Sequence, residues 1–290
     1  MNAPHEQHEN EPHALRCMEL WGGSGSARRA ASVPGLDIHV HADVFEDDAD
    51  GGDVYYVSMC GAGNITRCVL ADVSGHGAAV AEASAVLRKQ MRRNINTLDQ
   101  TRMARQLNEE FNADQEGARF ATALLLTYFA PARRLVIVNA GHPPPLLWRA
   151  KQRAWSFAVP EDADASPAAL NLPLGIIEPM GYEQFAVPIG PGDFAVLYTD
   201  ALPETPDADG TQLGQSGLLA LAGTIDAPAG GTVAGELATR LERRRGGAPA
   251  DDDQTIVVLS HNGGTPPRQS MGDKLAVLGR MMGIGRLDPA

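Results

Sequence analysis

Four aspartates stand at the edges of apolar, strand-like runs: Asp53, Asp72, Asp200 and Asp252. A carboxylate at the end of a strand is held in a fixed direction, and several strand ends of one sheet can converge on one point. Converging carboxylates repel one another unless a cation lies between them. Oxygen ligands without a cysteine and histidine cluster suit Mg²⁺ or Mn²⁺. The pattern of all four together therefore indicates a carboxylate metal centre, although any one of them alone is more typical of a turn.

Hydrophobic periodicity predicts the elements that must position these aspartates. Alternating apolar residues predict strands at Leu36–Val44, Asp53–Met59 and Ile65–Asp72, the last two joined by a glycine turn into a hairpin. Apolar residues at intervals of three and four predict helices at Val80–Ile95 and Thr101–Phe111. Further strands are predicted at Phe120–Phe129, Leu135–Asn139, Pro145–Trp148, Trp155–Val159, Phe185–Val187, Phe194–Tyr198 and Ile256–Leu259, and a helix at Thr232–Arg245. Elements in this order are typical of a mixed α/β layer protein.

Composition and charge narrow the class of protein. The 290-residue chain has 24 basic and 36 acidic residues, a net charge of −12, which argues against a nucleic-acid binder because that surface needs a basic face. No apolar run approaches the ~20 residues that cross a bilayer, and the polar N-terminus lacks the features of a secretion signal. The three cysteines, Cys17, Cys60 and Cys68, form no CxxC pair. We therefore expect a reduced, cytoplasmic setting and no membrane association.

The chain is expected to hold one domain and two tails. Residues 1–34 are predicted to be an N-terminal tail, residues 35–262 the folded domain, and residues 263–290 a C-terminal tail with a possible short helix. An apolar patch around Trp21 either docks back on the domain or meets a partner. The apolar stripe of the C-terminal tail belongs either to a frayed tail or to a docking segment, which leaves an oligomer open.

Seven sequence blocks occur in an order that resembles one protein family. They are GGD ending at Asp53, ADVSGHG around Asp72, RFATALLLTYF at Arg119–Phe129, NAGHPPPLL at Asn139–Leu147, LPLGI at Leu172–Ile176, PGDFAVLYTD ending at Asp200, and DDQT at Asp252–Thr255. Together they resemble the SpoIIE/RsbU-type serine phosphatases, the bacterial branch of the PPM, or protein phosphatase 2C, family. The resemblance implies an α+β fold, the PPM-type four-layer α/β/β/α sandwich, with two stacked antiparallel sheets flanked by helices and a metal centre at one end.

The resemblance also implies a function. Such a protein would be a metal-dependent protein serine/threonine phosphatase, which hydrolyses phosphoserine or phosphothreonine with a water activated by two Mn²⁺ or Mg²⁺ ions. The implied partner is a phosphorylated regulatory protein of the anti-sigma-factor-antagonist type in a partner-switching pathway. No substrate-binding residue is identified. The alternative is a catalytically weak or inactive pseudophosphatase that acts as a phosphoprotein-binding regulator.

The family pattern gives a role to five residues of this chain. Asp72 would bridge both ions, and the backbone carbonyl of Val73 would complete the shell of one ion. Asp200 and Asp252 match the acids that hold the other ion. Asp53 matches an acid that binds either directly or through a metal-held water.

Two residues depart from the family pattern. Tyr56 stands where a second aspartate is common, three residues after Asp53, and Ala201 replaces a common glycine after Asp200. The missing carboxylate is expected to weaken metal loading, so that Tyr56→Asp would lower the Mn²⁺ concentration needed for half-maximal rate. Ala201 is a mild change unless the position needs a positive φ angle.

Four further residues of these blocks have open roles. A nucleophilic pair of Ser74 and His76 is disfavoured because no oxyanion-hole motif accompanies it. His76 either helps to protonate the leaving oxygen or is a hydrogen-bonding residue at the start of a helix. His142 either takes part in the site or ties the proline-rich bend together. Arg119 either contacts the substrate phosphate or forms a surface salt bridge.

Overall fold

The computed structural model describes residues 17–45, 51–60, 63–75, 77–114, 119–160, 170–226 and 228–264. Within these ranges the strands are β1 Cys17–Gly23, β2 Ala27–Val33, β3 Leu36–Asp43, β4 Asp53–Cys60, β5 Ile65–Val73, β6 Ala121–Phe129, β7 Arg134–Ala140, β8 Leu146–Arg149, β9 Ala154–Phe157, β10 Gln184–Pro188, β11 Phe194–Tyr198 and β12 Gln254–Ser260. The α-helices are α1 Ala78–Arg93, α2 Gln100–Asp114, α3 Ala201–Glu204, α4 Gly214–Gly223 and α5 Val233–Arg244. In the described part of the chain, no helix has the length and apolar character that crossing a bilayer requires.

The twelve strands form two six-stranded sheets. The first sheet has the order β1-β4-β5-β6-β7-β10, and the second has the order β2-β3-β12-β11-β8-β9. Neighbouring strands are antiparallel throughout both sheets. An antiparallel pair brings the end of one strand beside the start of the next, so residues at alternate strand termini gather at one edge.

Three apolar clusters separate four layers of structure. The cluster between the two sheets includes Ile38, Tyr55 and Leu197. A second cluster packs the first sheet against α1 and α2, and a third packs the second sheet against α4 and α5. The predicted α/β/β/α sandwich is therefore confirmed.

The predicted strands form because their apolar faces are buried against the other sheet or against helices. Residues of β3 alternate strictly between buried and half-buried, as the period-2 pattern predicts. In contrast, β4 and β5 are buried along nearly their whole length, because one face meets the other sheet and the opposite face meets α1 and α2. These two strands form the predicted hairpin.

Two strands occupy the segment that the sequence predicted to be an N-terminal tail. β1 adds to the edge of the first sheet beside β4, and β2 adds to the edge of the second sheet beside β3. Their patterns are obscured because β1 contains an irregularity between Glu19 and Trp21, and because three successive residues of β2 are exposed. Leu20 and Trp21 pack against the cluster between the sheets, so the patch docks back on the domain. The folded part therefore includes residues 17–34.

Two helices were not predicted from the sequence. α3 has four residues, and α4 has the sequence GQSGLLALAG, whose three glycines are typical of a loop. α4 forms nonetheless because Leu218 and Ala222 pack into the cluster beneath it. The C-terminal tail from residue 265 onward, with its possible short helix, lies outside the described residues.

Candidate metal centre

The four predicted aspartates come from strand termini at one end of the sandwich. Asp53 begins β4 and faces Asp72, near the end of β5, across the hairpin. Asp200 directly follows β11, and Asp252 lies two residues before β12, its antiparallel neighbour. Each sheet therefore contributes two carboxylates to the same end of the fold.

Asp53 is a buried acid that links the two sheets. It is 5% exposed, and its Oδ2 accepts a hydrogen bond from Thr199 Oγ1 at 2.9 Å. Thr199 Oγ1 in turn accepts from the backbone nitrogen of Thr255 at 3.1 Å. Burial, and then the charge of Asp72, raise the pKa of Asp53 well above its usual range, although hydrogen bonds from Thr255 and Thr199 oppose the shift. A carboxyl group in this position needs either a proton or a nearby cation.

Asp72 lies among other aspartates. Burial raises its pKa to about 8, and the charges of Asp200, Asp252 and Asp253 act in the same direction. A hydrogen bond between the carboxyl groups of Asp72 and Asp200 adds to the shift. Carboxyl groups this close to one another favour a proton or a cation between them, because two like charges repel.

Asp252 and its neighbour Asp253 have different surroundings. Desolvation, with the charges of Asp253 and Asp200, raises the pKa of Asp252, although the residue as a whole is exposed. Asp253 is 8% exposed, and its two oxygens accept hydrogen bonds from the backbone nitrogens of Phe45 at 2.7 Å and Gly52 at 2.6 Å. Asp253 therefore braces the main chain before Asp53. The sequence pattern did not identify this role, because the sequence alone does not distinguish Asp253 from the adjacent Asp252.

Gly51 and Gly52 allow the main chain to approach the aspartates closely. A Cβ atom on Gly52 would lie 3.2 Å from the carbonyl oxygen of Val73 and 3.6 Å from Asp72 Oδ1, and one on Gly51 would collide with the Asp253 carboxylate. The carbonyl oxygen of Gly52 accepts hydrogen bonds from Val73 N at 3.2 Å and Ser84 Oγ at 3.1 Å. The Val73 carbonyl and the Asp72 carboxylate thus lie around the same point.

His142 joins the two sheets directly behind Asp72 and Asp200. Its Nδ1 is 2.8 Å from Thr122 Oγ1, and its Nε2 is 3.0 Å from the carbonyl oxygen of Tyr198. Because a carbonyl oxygen only accepts, Nε2 carries the proton and Nδ1 accepts from the threonine hydroxyl. Thr122 is the cross-strand partner of Asp72, and Tyr198 is two residues before Asp200. One imidazole therefore contacts β6, which pairs with the strand that carries Asp72, and β11, which directly precedes Asp200.

The bend around His142 is held by Asn139. The backbone nitrogen of His142 donates to Asn139 Oδ1 at 2.7 Å, and Asn139 Nδ2 donates to the His142 carbonyl at 2.8 Å. Burial lowers the pKa of His142 to about 4, against the opposing effect of the Tyr198 carbonyl. The imidazole is therefore neutral near pH 7. The bend is thus tied through the main chain of His142, whereas its imidazole bonds to Thr122 and Tyr198, and a part for the imidazole in the site stays a prediction.

The other candidate residues have different outcomes. Ser74 Oγ accepts a hydrogen bond from Phe120 N at 3.1 Å, so this hydroxyl holds the ends of β5 and β6 together. His76 lies outside the described residues. Arg119 is half-buried at the same end of the first sheet, and its role stays a prediction.

Tyr56 does not lie with the aspartates. It is fully buried in the cluster between the first sheet and helices α1 and α2, and it pairs with Val69. Since side chains alternate along a strand, Tyr56 and Asp53 point to opposite faces of the sheet. A carboxylate at position 56 would therefore point away from the aspartates, which contradicts the expectation that it would strengthen metal loading. Ala201 begins α3 and does not have a positive φ angle, so it replaces glycine without strain.

We expect Tyr56→Asp to destabilise the protein and to leave Mn²⁺ affinity no better than that of the wild type. Replacing a fully buried tyrosine with a shorter, charged carboxylate removes apolar packing and requires desolvation of the charge, which costs about 2 kcal/mol or more. Urea unfolding would measure the loss of stability, and calorimetric titration with Mn²⁺ would measure the affinity. Tighter Mn²⁺ binding in a variant of unchanged stability would show that position 56 does reach the aspartates.

The donor set fits a hard divalent cation. Each predicted donor is an oxygen atom, and each neighbouring group that shifts the pKa of Asp72 is another aspartate. Among the described residues, no three acidic, imidazole or thiol groups already surround one point as they would a bound ion.

Comparison with known proteins places this geometry in a family. The sequence model for Stage II sporulation protein E (SpoIIE) matches residues 63–262, more than half of the chain. Three solved structures illustrate the similarity of fold.

The RsbU and RsbW domains of a Mycobacterium tuberculosis protein are 24% identical to this chain, with a TM-score of 0.67; the match covers 84% of this chain and 65% of that chain. The PP2C phosphatase domain of SpoIIE from Bacillus subtilis, with a fragment of its regulatory domain, is 18% identical with a TM-score of 0.58, covering 86% and 65%. RsbX in complex with magnesium is 17% identical with a TM-score of 0.57, covering 80% and 98%.

This chain thus spans 65% of the length of the first of these structures. At such identities the structural likeness concerns the fold, which is that of the PP2C-type sandwich. The match over residues 63–262 includes the blocks that carry Asp72, Asp200 and Asp252. The chain belongs to the SpoIIE family of PPM-type phosphatases.

Proposed function

We propose that this protein is a metal-dependent protein serine/threonine phosphatase. The observation that carries the proposal is the convergence of four aspartates, two from each sheet, at one end of a SpoIIE-family fold. The raised pKa values of Asp53, Asp72 and Asp252 support it, because these acids lie close to like charges that a divalent cation would neutralise.

The proposed ligands are Asp53, Asp72, Asp200, Asp252 and the carbonyl oxygen of Val73. Asp72 would bridge two cations, a role supported by its electrostatic interaction with acids of both sheets. When bound, two Mn²⁺ or Mg²⁺ ions would neutralise the phosphoryl oxygens and supply an acidified water as nucleophile. The complex of the related RsbX with magnesium supports this choice of ion.

The chain's other residues would hold these ligands in place. Thr199 donates a hydrogen bond to Asp53 and so fixes the orientation of one carboxylate. Asp253 holds Gly52 next to the centre through its backbone nitrogen. His142, through Thr122, would support the strand that carries Asp72. Such rigid support matters because a phosphoryl group must be aligned with its attacking water.

The proposed substrate is phosphoserine or phosphothreonine on a regulatory partner protein of the anti-sigma-factor-antagonist type. One structural relative combines RsbU and RsbW domains, and another is described as part of the bacterial stressosome, a modular system for signalling control. These relatives support a place in a partner-switching pathway for this chain.

Hydrolysis of p-nitrophenyl phosphate tests the proposed function. We expect turnover with Mn²⁺ or Mg²⁺ and a loss of about a hundredfold or more with EDTA, since the cations would supply several kcal/mol of charge stabilisation. Turnover that EDTA leaves unchanged would exclude the metal-dependent mechanism. Phosphopeptide binding without any turnover, in protein shown to bind Mn²⁺, would instead identify a pseudophosphatase.

A further inference from the structure

Three exposed apolar side chains lie at the same end of the fold as the aspartates. Phe120 is 38% exposed, Ile176 is 44% exposed and Ile177 is 46% exposed. They account for three of the five exposed large hydrophobic residues in the described part of the chain. We call Phe120, Ile176 and Ile177 the apolar ledge. Exposed apolar side chains that lie together are typical of interaction sites, whereas exposed apolar side chains scattered singly are common on any protein surface.

Main-chain pairing connects the apolar ledge to the strand that carries Asp72. Ala121 and Leu174 form an isolated antiparallel bridge. Ala121 N donates to the Leu174 carbonyl oxygen at 2.9 Å, and Leu174 N donates to the Ala121 carbonyl oxygen at 2.8 Å. Phe120 directly precedes this bridge, and the two isoleucines follow it by two and three residues. Phe120 also pairs with Ser74, whose backbone nitrogen donates to the Phe120 carbonyl at 2.9 Å.

Phe120 directly precedes β6, and this position places it near Asp72. Thr122 is the cross-strand partner of Asp72, and Phe120 is two residues before Thr122. Residues two apart share a face of a strand and are about 7 Å apart. A phosphorylated side chain bound by the cations that Asp72 would hold therefore has its flanking residues near the apolar ledge.

The loop that carries the two isoleucines is fixed in place. The buried Asn108 of α2 accepts a hydrogen bond from Gly175 N at 2.9 Å and donates one to the Ile177 carbonyl at 3.0 Å. Gly175 has φ +84°, and a Cβ atom there would lie 3.0 Å from the carbonyl oxygen of Arg119. The loop is thus anchored to both α2 and β6 while its isoleucine side chains remain exposed. Because it is already ordered, little conformational entropy is lost when a ligand covers it.

Negative charge lies at another side of the same centre. Glu204 lies on α3, which directly follows Asp200, Asp251 directly precedes Asp252, and both acids are exposed. An acidic segment would be repelled from this side, whereas the uncharged apolar ledge offers no such repulsion. The charges therefore favour a segment without acidic residues beside its phosphate.

We infer that the apolar ledge binds an apolar side chain that flanks the phosphorylated serine or threonine of the protein substrate. The inference rests on the proposed function and adds a class of substrate to it: phosphorylated segments with apolar rather than acidic neighbours. The ledge contributes to recognition of the segment and has no part in the chemistry at the phosphate.

Three phosphoserine peptides of equal length test this inference. They carry Leu, Ser or Glu on both sides of the phosphoserine. We expect wild-type kcat/KM to be highest for the Leu peptide, about tenfold above the Ser peptide, as is typical of one apolar contact in an enzyme pocket, and lowest for the Glu peptide. Fluorescence anisotropy of the same labelled peptides with Mn²⁺ measures their binding independently of turnover.

Variants of the ledge and of a matched surface residue complete the experiment. The double variant Ile176→Ser/Ile177→Ser is expected to lose the preference for Leu over Ser while p-nitrophenyl phosphate turnover stays at the wild-type level. Val159→Ser is the control, because Val159 is 48% exposed but follows β9 at the edge of the second sheet. This control should keep the preference.

The outcomes separate this inference from the proposed function. Absence of p-nitrophenyl phosphate turnover by the wild type with Mn²⁺ would contradict the proposed function. Comparison of Leu and Ser peptide binding by anisotropy would still test the apolar ledge in that case. Equal binding of the Leu and Ser peptides by the wild type would overturn the inference. An unchanged preference in the double variant would also overturn it. If the oligomeric mass of that variant also changes in sedimentation, the apolar ledge would be assigned to contact between copies of this chain.

Discussion

Asp72→Asn is expected to abolish Mn²⁺-dependent turnover and, at pH 8, to stabilise the metal-free protein. An amide lacks the charge that a hard cation requires, and a loss of about 3–4 kcal/mol of stabilisation corresponds to roughly 10²–10³-fold in rate. The gain in stability has a separate cause. In the metal-free protein, Asp72 is buried and repelled by Asp200, Asp252 and Asp253, and an uncharged amide avoids that repulsion.

The pH dependence of stability follows from the same shift. The pKa of Asp72 in the folded state, about 8, lies above its ordinary value of 3.8, so folding favours its protonated form. The resulting stabilisation is fully present below about pH 4 and is lost as the pH rises through 8. Thermal unfolding of the metal-free wild type should therefore show a falling Tm between pH 5 and 8 in the presence of EDTA, and Asp72→Asn should reduce that fall.

A matched variant controls for the general effect of removing a carboxylate. Asp226 is exposed and lies beyond α4, away from the centre, so Asp226→Asn should change neither turnover nor the pH dependence of Tm. Wild-type turnover in Asp72→Asn, with Mn²⁺ bound as before, would refute the role of Asp72 as a bridging ligand. A Tm difference that stays constant from pH 5 to 8 would refute the electrostatic explanation of the stability gain.

His142→Ala is expected to lower both the stability of the protein and its affinity for Mn²⁺. The substitution leaves the Thr122 hydroxyl and the Tyr198 carbonyl without their buried partner, at about 1–3 kcal/mol for each group. Thr122 is the cross-strand partner of Asp72, and Tyr198 ends the strand that directly precedes Asp200. Loss of a residue that supports metal ligands typically weakens metal binding by about 10–100-fold. Urea unfolding and calorimetric titration with Mn²⁺ measure the two effects.

Two conservative variants of His142 separate its contacts. A glutamine amide can replace Nε2 and keep the bond to Tyr198, whereas an asparagine amide can replace Nδ1 and keep the bond to Thr122. If His142 supports Asp72 and Asp200 through these contacts, each variant should recover part of the Mn²⁺ affinity that His142→Ala loses.

The buried His261 provides a control for His142. It follows β12 at the opposite end of the second sheet, and its Nδ1 accepts a hydrogen bond from Gly263 N. His261→Ala should therefore lower stability without changing Mn²⁺ affinity. If His142→Ala also leaves Mn²⁺ affinity unchanged, the histidine supports only the fold.

Periodicity predicted the inner elements of the fold better than its margins. β3 has one covered face, so its alternation is visible in the sequence, and the β4–β5 hairpin is marked by glycines between two apolar runs. β2 could not be recognised because, at the edge of its sheet, exposed Arg28, Arg29 and Ala30 interrupt the pattern. α4 depends on packing against the second sheet, and its own sequence favours a loop.

The candidate site shows a similar division. Asp53 and Asp72 were predictable as neighbours because each terminates an apolar strand, and the structure pairs them across the hairpin. Their role as ligands stays a prediction. The brace formed by Asp253 was not predictable, since only the fold brings the backbone of Phe45 and Gly52 to its carboxylate. The position of Tyr56 was not predictable from its separation from Asp53 alone, because an odd number of residues along a strand puts it on the opposite face, against α1 and α2.

The two hydrogen bonds of Asp253 also bear on how this chain can change in length. Phe45 and Gly52 stand on either side of residues 46–50, and one carboxylate binds the backbone of both. The ends of that connection are therefore fixed relative to each other whatever lies between them. Each doubling of the length of a connection whose ends are held adds only about 0.6 kcal/mol of closure entropy. Insertions within residues 46–50 should thus leave Asp53 in place, which makes this segment a permissive position for an inserted peptide tag.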